Sequence, residues 1–194
     1  TQSHKTEHLE ALGIPVSIGH DAANVRGADI IVYSAAIGAD NPEYLAAKEK
    51  GRLLVSRSDY LGFLMSRFRT RVGVAGMHGK STCTAMCASI LLADGDATVL
   101  CGAELPALNN STCRIGGDKE RFLFEACEYM DSFLSFCPTL EVLLNIELDH
   151  TDFFEDLNAV KCSFKRYLGI SSNKTVVYNC DDENGNEVIK GFEG

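Results

Sequence analysis

Positive charge is what this 194-residue sequence has too little of: 18 Lys and Arg stand against 27 Asp and Glu, a formal net charge of -9. Affinity for a phosphodiester backbone is carried by clustered Lys and Arg, so no nucleic acid is expected as a partner. No apolar run approaches the length that spans a bilayer, and the polar start TQSHKTEHLE is no signal peptide. A soluble, cytoplasmic protein with no membrane partner is expected. The eight cysteines contain no C-x-x-C pair. They read as small buried hydrophobes of a reducing compartment in preference to a structural zinc site. Repeats and low-complexity segments are absent too, and 45% apolar residues suffice to bury one large core or two small ones.

What is present is an alternation of strand-like and helix-like stretches. Residues 4–12 have helical spacing and stop at Gly13, before a short strand candidate at 14–17. Residues 28–35 (ADIIVYSA) form a continuous apolar run of the kind found in buried parallel strands, Asn41 and Pro42 open a helix over 43–50, and a strand at 53–55 and a helix at 59–68 follow. The loop 34–41 lies where such sheets place ligands, at the carboxyl end of a strand. A plain strand-to-helix connection is the equal alternative. From residue 71 the pattern restarts: strand 72–75, helix 81–94 with Met86, Ile90 and Leu91 as its apolar stripe, strand 97–101, a loop over 102–119, strands 121–126 and 140–146, an amphipathic helix 157–168 with Leu157, Val160, Phe164 and Leu168 on one face, a strand 175–178, and a polar helix from Asp181 and Asp182. The fold class is therefore α/β, parallel sheets with covering helices, with a domain boundary near 66–70.

The chain is organised around residues 71–84, RVGVAGMHGKSTCT. Gly76 and Gly79 let the backbone turn and aim N–H groups inward, the following helix N-terminus adds partial positive charge, Lys80 reaches outer phosphates, and Ser81 offers a hydroxyl to Mg²⁺. Strict Walker A spacing is not met, because Val74 stands where a glycine five positions before Gly79 is required. Lys80 reads as a solvated charge whose removal leaves the fold intact. Two strands then end in acidic clusters, one from Glu125 to Asp131 and one from Asn145 to Asp152 that includes His150. One carboxylate with Ser81 suffices for one Mg²⁺, and a second ion needs another carboxylate or an imidazole. Solvated surface acids and a structural histidine are the competing reading.

Together these motifs resemble the Mur ligase family, the ATP-dependent amide-forming enzymes of peptidoglycan synthesis, and within it the alanine-adding branch. The family loop G-x-x-G-K-[ST]-[ST] is filled by Gly76, Met77, His78, Gly79, Lys80, Ser81 and Thr82. The resemblance implies that these hold the ATP phosphates, that Ser81, Glu125 and His150 are magnesium ligands, that Lys80 and His78 are catalytic, and that Asn179, in the N-x-D-D segment with Asp181 and Asp182, leads toward the nucleotide. The N-x-x-x-D-H motif is filled by Asn145, Asp149 and His150. In the first segment Gly19, His20 and residues 33–43 are similar to the branch's UDP-sugar domain, which implies substrate contacts at Ser34, Ala35, Ala36 and Asn41. The implied reaction joins L-alanine to UDP-N-acetylmuramate through an acyl phosphate. Muropeptide-adding and folate-polyglutamating relatives share the central motifs, and a non-catalytic nucleotide-binding module is the rival from another class.

The sequence also departs from the family. Phe164 stands where several relatives carry a carbamylated lysine, which the alanine-adding branch also lacks; Met77 replaces the usual Thr; and E-A-D-E-S-D appears as Glu125, Ala126, Cys127, Glu128, Tyr129 and Met130. The expected organisation is a partial Rossmann-like UDP-sugar domain over 1–68 and part of a P-loop-type ATP domain over 69–194. A fragment without the amino-acid-binding domain, inactive as a ligase by itself, is the expectation.

Overall fold

The computed structural model describes residues 3–170 and 175–192. The chain divides into two units between Tyr60 and Leu61. In the first unit, α1 (His4–Ala11) precedes a β–α–β unit of β1 (Ile30–Tyr33), α2 (Pro42–Glu49) and β2 (Leu53–Ser56), and α3 (Arg57–Met65) crosses the division. β1 and β2 are parallel, with Ile30 opposite Leu53 and Tyr33 opposite Ser56. Asn41 starts α2 because its Oδ1 accepts the Glu43 and Tyr44 N–H groups and Pro42 needs no partner in the first turn. Residues 14–17, expected as a strand, are not one. A strand needs a neighbour, none of the described strands pairs with this stretch, and Ile14 stays exposed.

The second unit is a six-stranded sheet in the order β5-β4-β6-β3-β7-β8, built from β3 (Thr70–Ala75), β4 (Thr98–Leu105), β5 (Ser111–Arg114), β6 (Arg121–Ala126), β7 (Leu140–Leu143) and β8 (Thr175–Tyr178). All pairings are parallel except that of β4 with β5. Strand periodicity divides the core. Val72, Val74, Val99 and Leu123 face α4 (Lys80–Asp94), while Ala75, Phe122, Phe124 and Ala126 pack on the side of α5 (Leu157–Leu168). A last short helix, α6 (Glu183–Ile189), is capped by the Asp182 carboxylate, which accepts the Gly185 N–H.

Three further expectations need correction. The stretch 102–119 is not all loop: β4 runs on to Leu105, and a tight turn returns the chain as β5. Asn109 and Asn110, both at φ 57, supply the left-handed turn inside a stretch whose Asn, Gly and Ser content reads as loop throughout. On α4 the buried positions are Thr84 and Ala88, with Cys87 and Leu91 beside them, whereas Met86 and Ile90 are 64% and 68% exposed. Small residues let the helix lie close to the sheet, with Leu91 and Leu92 packed at the edge of the core and Met86 and Ile90 turned outward. Among the cysteines only Cys101 is buried, and Cys113, Cys127, Cys162 and Cys180 are exposed; Cys162, for example, sits on the outward side of α5.

Candidate functional site

β3 lies between β6 and β7, so the carboxyl ends of three adjacent strands converge on the loop that follows Ala75. That is where ligands sit in open α/β sheets. The loop's shape depends on its two glycines. Gly76 has φ 141 and Gly79 φ 81, and a Cβ on Gly76 would stand 3.0 Å from Leu144 Cβ and 3.1 Å from Asn145 N. Gly79 is also the N-cap of α4, a 15-residue helix with no acidic residue in its first turn. Its N-terminal partial charge is therefore available to an anion.

Asn145, just beyond the end of β7, fixes the loop. Its Oδ1 accepts the His78 N–H at 2.9 Å, its Nδ2 donates to His78 O at 3.0 Å, and its own carbonyl accepts the Met77 N–H at 3.1 Å. Replacing Asn145 by Ala removes both side-chain bonds, each contributing about 0.5–1.5 kcal/mol. ATP affinity, measured by titration calorimetry, is expected to fall roughly tenfold for a loop so loosened; an unchanged affinity would show that the glycines alone define it. The His78 side chain is exposed and lies 3.8 Å from Glu147 Oε2, so the clamp acts on its backbone.

Lys80 and Ser81 each meet a carboxylate. Lys80 Nζ donates to Gly76 O (2.7 Å), Met77 O (3.2 Å) and both oxygens of Glu128 (3.0 and 2.9 Å). Its side chain is 14% exposed and that of Glu128 is fully buried. The reading of Lys80 as a solvated charge is thus corrected: it neutralises a buried anion. Ser81 Oγ donates to Glu125 Oε2 at 3.2 Å, and Glu125 Oε1 accepts from Gly102 N (2.7 Å) and Cys101 Sγ (2.9 Å). Burial, with the Glu125 hydrogen bond adding to it, pushes the Cys101 thiol up to about 11, so it stays a protonated donor.

His150 stands at φ 50 with Nε2 3.2 Å from Glu128 Oε1. The Tyr129 ring lies 4.8 Å from its imidazole, and Tyr129 in turn donates to Asp152 Oδ2 at 2.7 Å, which raises the phenol's pKa. The backbone N–H of His150 bonds the Asp149 carboxylate and holds that group's pKa below its ordinary value. Glu128 therefore joins Lys80 to His150, while Glu125 joins Ser81 to β4. The Ser81 hydroxyl beside the Glu125 carboxylate is the kind of hard-oxygen pair that Mg²⁺ takes, and His150 adds a nitrogen donor, although among the described residues no group of three or more His, Cys, Asp or Glu side chains is gathered as a metal centre.

Not every expected residue meets this cluster. Thr82 follows Ser81 on the first turn of α4 and is exposed. Asn179, beyond the end of β8, turns its Oδ1 to the N–H of Asp181. Phe164 is fully buried, its ring 5.2 Å from that of Phe133. In the first unit, Ser34 and Asn41 line a cleft of about 180 Å³ with Tyr33, Ile37, Glu43 and Tyr44, whereas Ala35 and Ala36 are exposed outside it. Asn41 is already occupied as the cap of α2. Glu43 at this cleft accepts from Asn24 Nδ2 at 2.6 Å, which holds its carboxyl below the usual range. Sequence reasoning missed two residues of the central cluster, Glu128 and Asn145, although both lie in the motifs that named Glu125 and His150.

Known proteins share both halves of this arrangement. Residues 1–69 match the model of the Mur ligase family, catalytic domain, and residues 74–194 that of the Mur ligase middle domain. The UDP-N-acetylmuramate–L-alanine ligase of Caldanaerobacter subterraneus subsp. tengcongensis is 44% identical over 98% of this chain, and that of Clostridium perfringens 40% over 97%. The chain spans 42% and 41% of the lengths of these two curated relatives. Among solved structures, the UDP-N-acetylmuramate:L-alanyl-gamma-D-glutamyl-meso-diaminopimelate ligase from Neisseria meningitides superposes with a TM-score of 0.86 at 28% identity, covering 98% of this chain and 64% of that one. The UDP-N-acetylmuramate-alanine ligase from Thermotoga maritima shares the fold, with a TM-score of 0.84 at 24% identity over 97% of this chain and 44% of that one. With one family model on each side of residues 70–73, the chain belongs to the Mur ligase family.

Proposed function

We propose that this chain carries the phosphate-handling part of an ATP-dependent ligase of peptidoglycan synthesis that joins L-alanine to UDP-N-acetylmuramate in the cytoplasm. The observation that carries the reading is the cluster at the strand ends, where Lys80, Ser81, Glu125, Glu128 and His150 surround a glycine loop at a helix N-terminus. The N-terminal turn of α4 and Lys80 bind and orient the phosphates, the Met77 and His78 N–H groups being held by Asn145, and Ser81, Glu125 and His150 are the residues that would hold Mg²⁺. A bound Mg²⁺ supplies charge neutralisation where the substrate carboxylate and the γ-phosphate meet. His78 stands exposed at the rim, able to contact the incoming carboxylate. Residues 1–68 would belong to the UDP-sugar part, with Ser34 and Asn41 at its cleft, and residues 69–194 to the ATP part.

A second reading, addition of a whole peptide, is favoured by the TM-score of 0.86 to the Neisseria structure. Identity of 44% to an alanine-adding relative weighs against it. The two separate when the chain is joined to the part of the Caldanaerobacter relative that it does not cover and offered ATP, Mg²⁺ and UDP-N-acetylmuramate with either L-alanine or a tripeptide. An amide product with the tripeptide alone would reject the alanine reading. In the same protein, Glu125→Gln and His150→Ala are each expected to raise the Mg²⁺ concentration for half-maximal phosphate release about tenfold or more, the usual scale of a lost ligand. An unchanged Mg²⁺ dependence would return that residue to a structural role.

A further inference from the structure

An ammonium has three N–H donors. Those of Lys80 are fully used, by Gly76 O, Met77 O and the two oxygens of Glu128. A phosphate oxygen can therefore reach this ammonium only by displacing one of these acceptors. The two carbonyls belong to the loop, whose path is fixed by Gly76, Gly79 and the Asn145 clamp. Glu128 is the one acceptor on a side chain, and it has somewhere else to remain, since its Oε1 is already 3.2 Å from His150 Nε2. It also cannot drift into water, being fully buried.

We propose that Glu128 is a positioning residue, an internal counter-anion that holds Lys80 in register within the loop and yields it to an entering phosphate while keeping its contact with His150. The inference rests on the reading of residues 76–82 as a phosphate cradle. Glu128 then opposes anion binding twice, by charge repulsion and by occupying Lys80, and it prevents a buried lysine from collapsing onto other acceptors.

The test uses tripolyphosphate as the probe, without metal, together with acetylation of Lys80 by acetic anhydride followed by mass spectrometry. Glu128→Gln removes the charge at nearly constant volume. Tripolyphosphate should bind about five- to tenfold more tightly, the scale of one screened charge removed beside an anion, and Lys80 should be acetylated faster. A merely structural residue would weaken anion binding when replaced, so unchanged or weaker binding by a folded Glu128→Gln protein overturns the proposal. If Glu128→Gln does not fold, Glu128→Asp draws the charge back by one methylene and should raise both quantities by a smaller amount; no rise there overturns the proposal as well. If the parent binds neither tripolyphosphate nor ATP, the cradle reading itself fails and the exchange with it. Faster acetylation in Glu128→Gln would then report the ion pair alone, so the two failures are distinct.

Discussion

Lys80→Ala is expected to lower ATP turnover by at least about 10²-fold, the loss typical when one preorganised charge at the reacting phosphates is removed, and to lower stability at the same time. The first effect follows from position: Lys80 is on the first turn of α4, behind Gly79, where the helix N-terminus offers its partial positive charge. The second follows from Glu128, which is fully buried and would keep only His150 as an ionic partner. Removing one member of a buried pair costs about 3–5 kcal/mol, because the remaining charge is left uncompensated. Lys80→Arg separates the effects. It retains a cation for Glu128 but not the compact ammonium geometry, so thermal stability should recover more than turnover does. Phosphate release measured with both co-substrates, beside a thermal melt, reads the two quantities independently. Parental turnover in a folded Lys80→Ala protein would refute the cradle assignment, and a parental melting temperature would refute the burial argument.

The contrast between Lys80 as read from sequence and as placed in the fold shows what a one-dimensional pattern can carry. The strand at 121–126 and the helix at 157–168 are legible because each buries an apolar run or a clear stripe, and the strand at 175–178 because its residues are β-branched and aromatic, although only Val176 is part-buried. β5 was not, since Ser111–Arg114 is polar and becomes a strand only because the Asn109 and Asn110 turn lays it against β4. Of the expected α4 stripe only Leu91 packs on the core, because close helix-to-sheet packing selects Thr84 and Ala88 over the larger Met86 and Ile90. In the site, Gly76 to Thr82 announce themselves by local chemistry. The partners of that loop do not, because Asn145 lies 67 residues from His78 and Glu128 lies 48 from Lys80, and only the order β6-β3-β7 brings them together.

Gly73→Ala is expected to be the most damaging single-methyl change in the sheet, although Gly73 carries no functional group and lies before the loop. It is not held in a left-handed conformation, so the reason is space. A Cβ there would stand 2.5 Å from Glu141 Oε2, 3.0 Å from Tyr167 Oη and 3.2 Å from Phe124 Cζ. None of these can give way cheaply. Glu141 is fully buried on β7 and accepts the Tyr167 hydroxyl at 2.6 Å, and Tyr167 is stacked on Phe133 with ring centroids 4.3 Å apart. Burial, and then the Glu141 carboxyl, raise the Tyr167 phenol's pKa well above its ordinary value, so the phenol stays a donor at any pH the fold survives. Overpacking costs about 1–3 kcal/mol, and straining a buried carboxyl away from its hydrogen bond adds a similar amount. Loss of about 3 kcal/mol or more is therefore expected from denaturant unfolding, with ATP affinity nearly unchanged at low temperature where the protein is still folded. The cause is isolated by a double-mutant cycle: on a Glu141→Ala background the same Gly73→Ala change should cost less, because the nearest of the three atoms it strikes is gone. Equal costs on both backgrounds would assign the damage to the sheet backbone instead, and a loss of ATP affinity in the folded variant would show that β3 transmits the strain to the loop at its end.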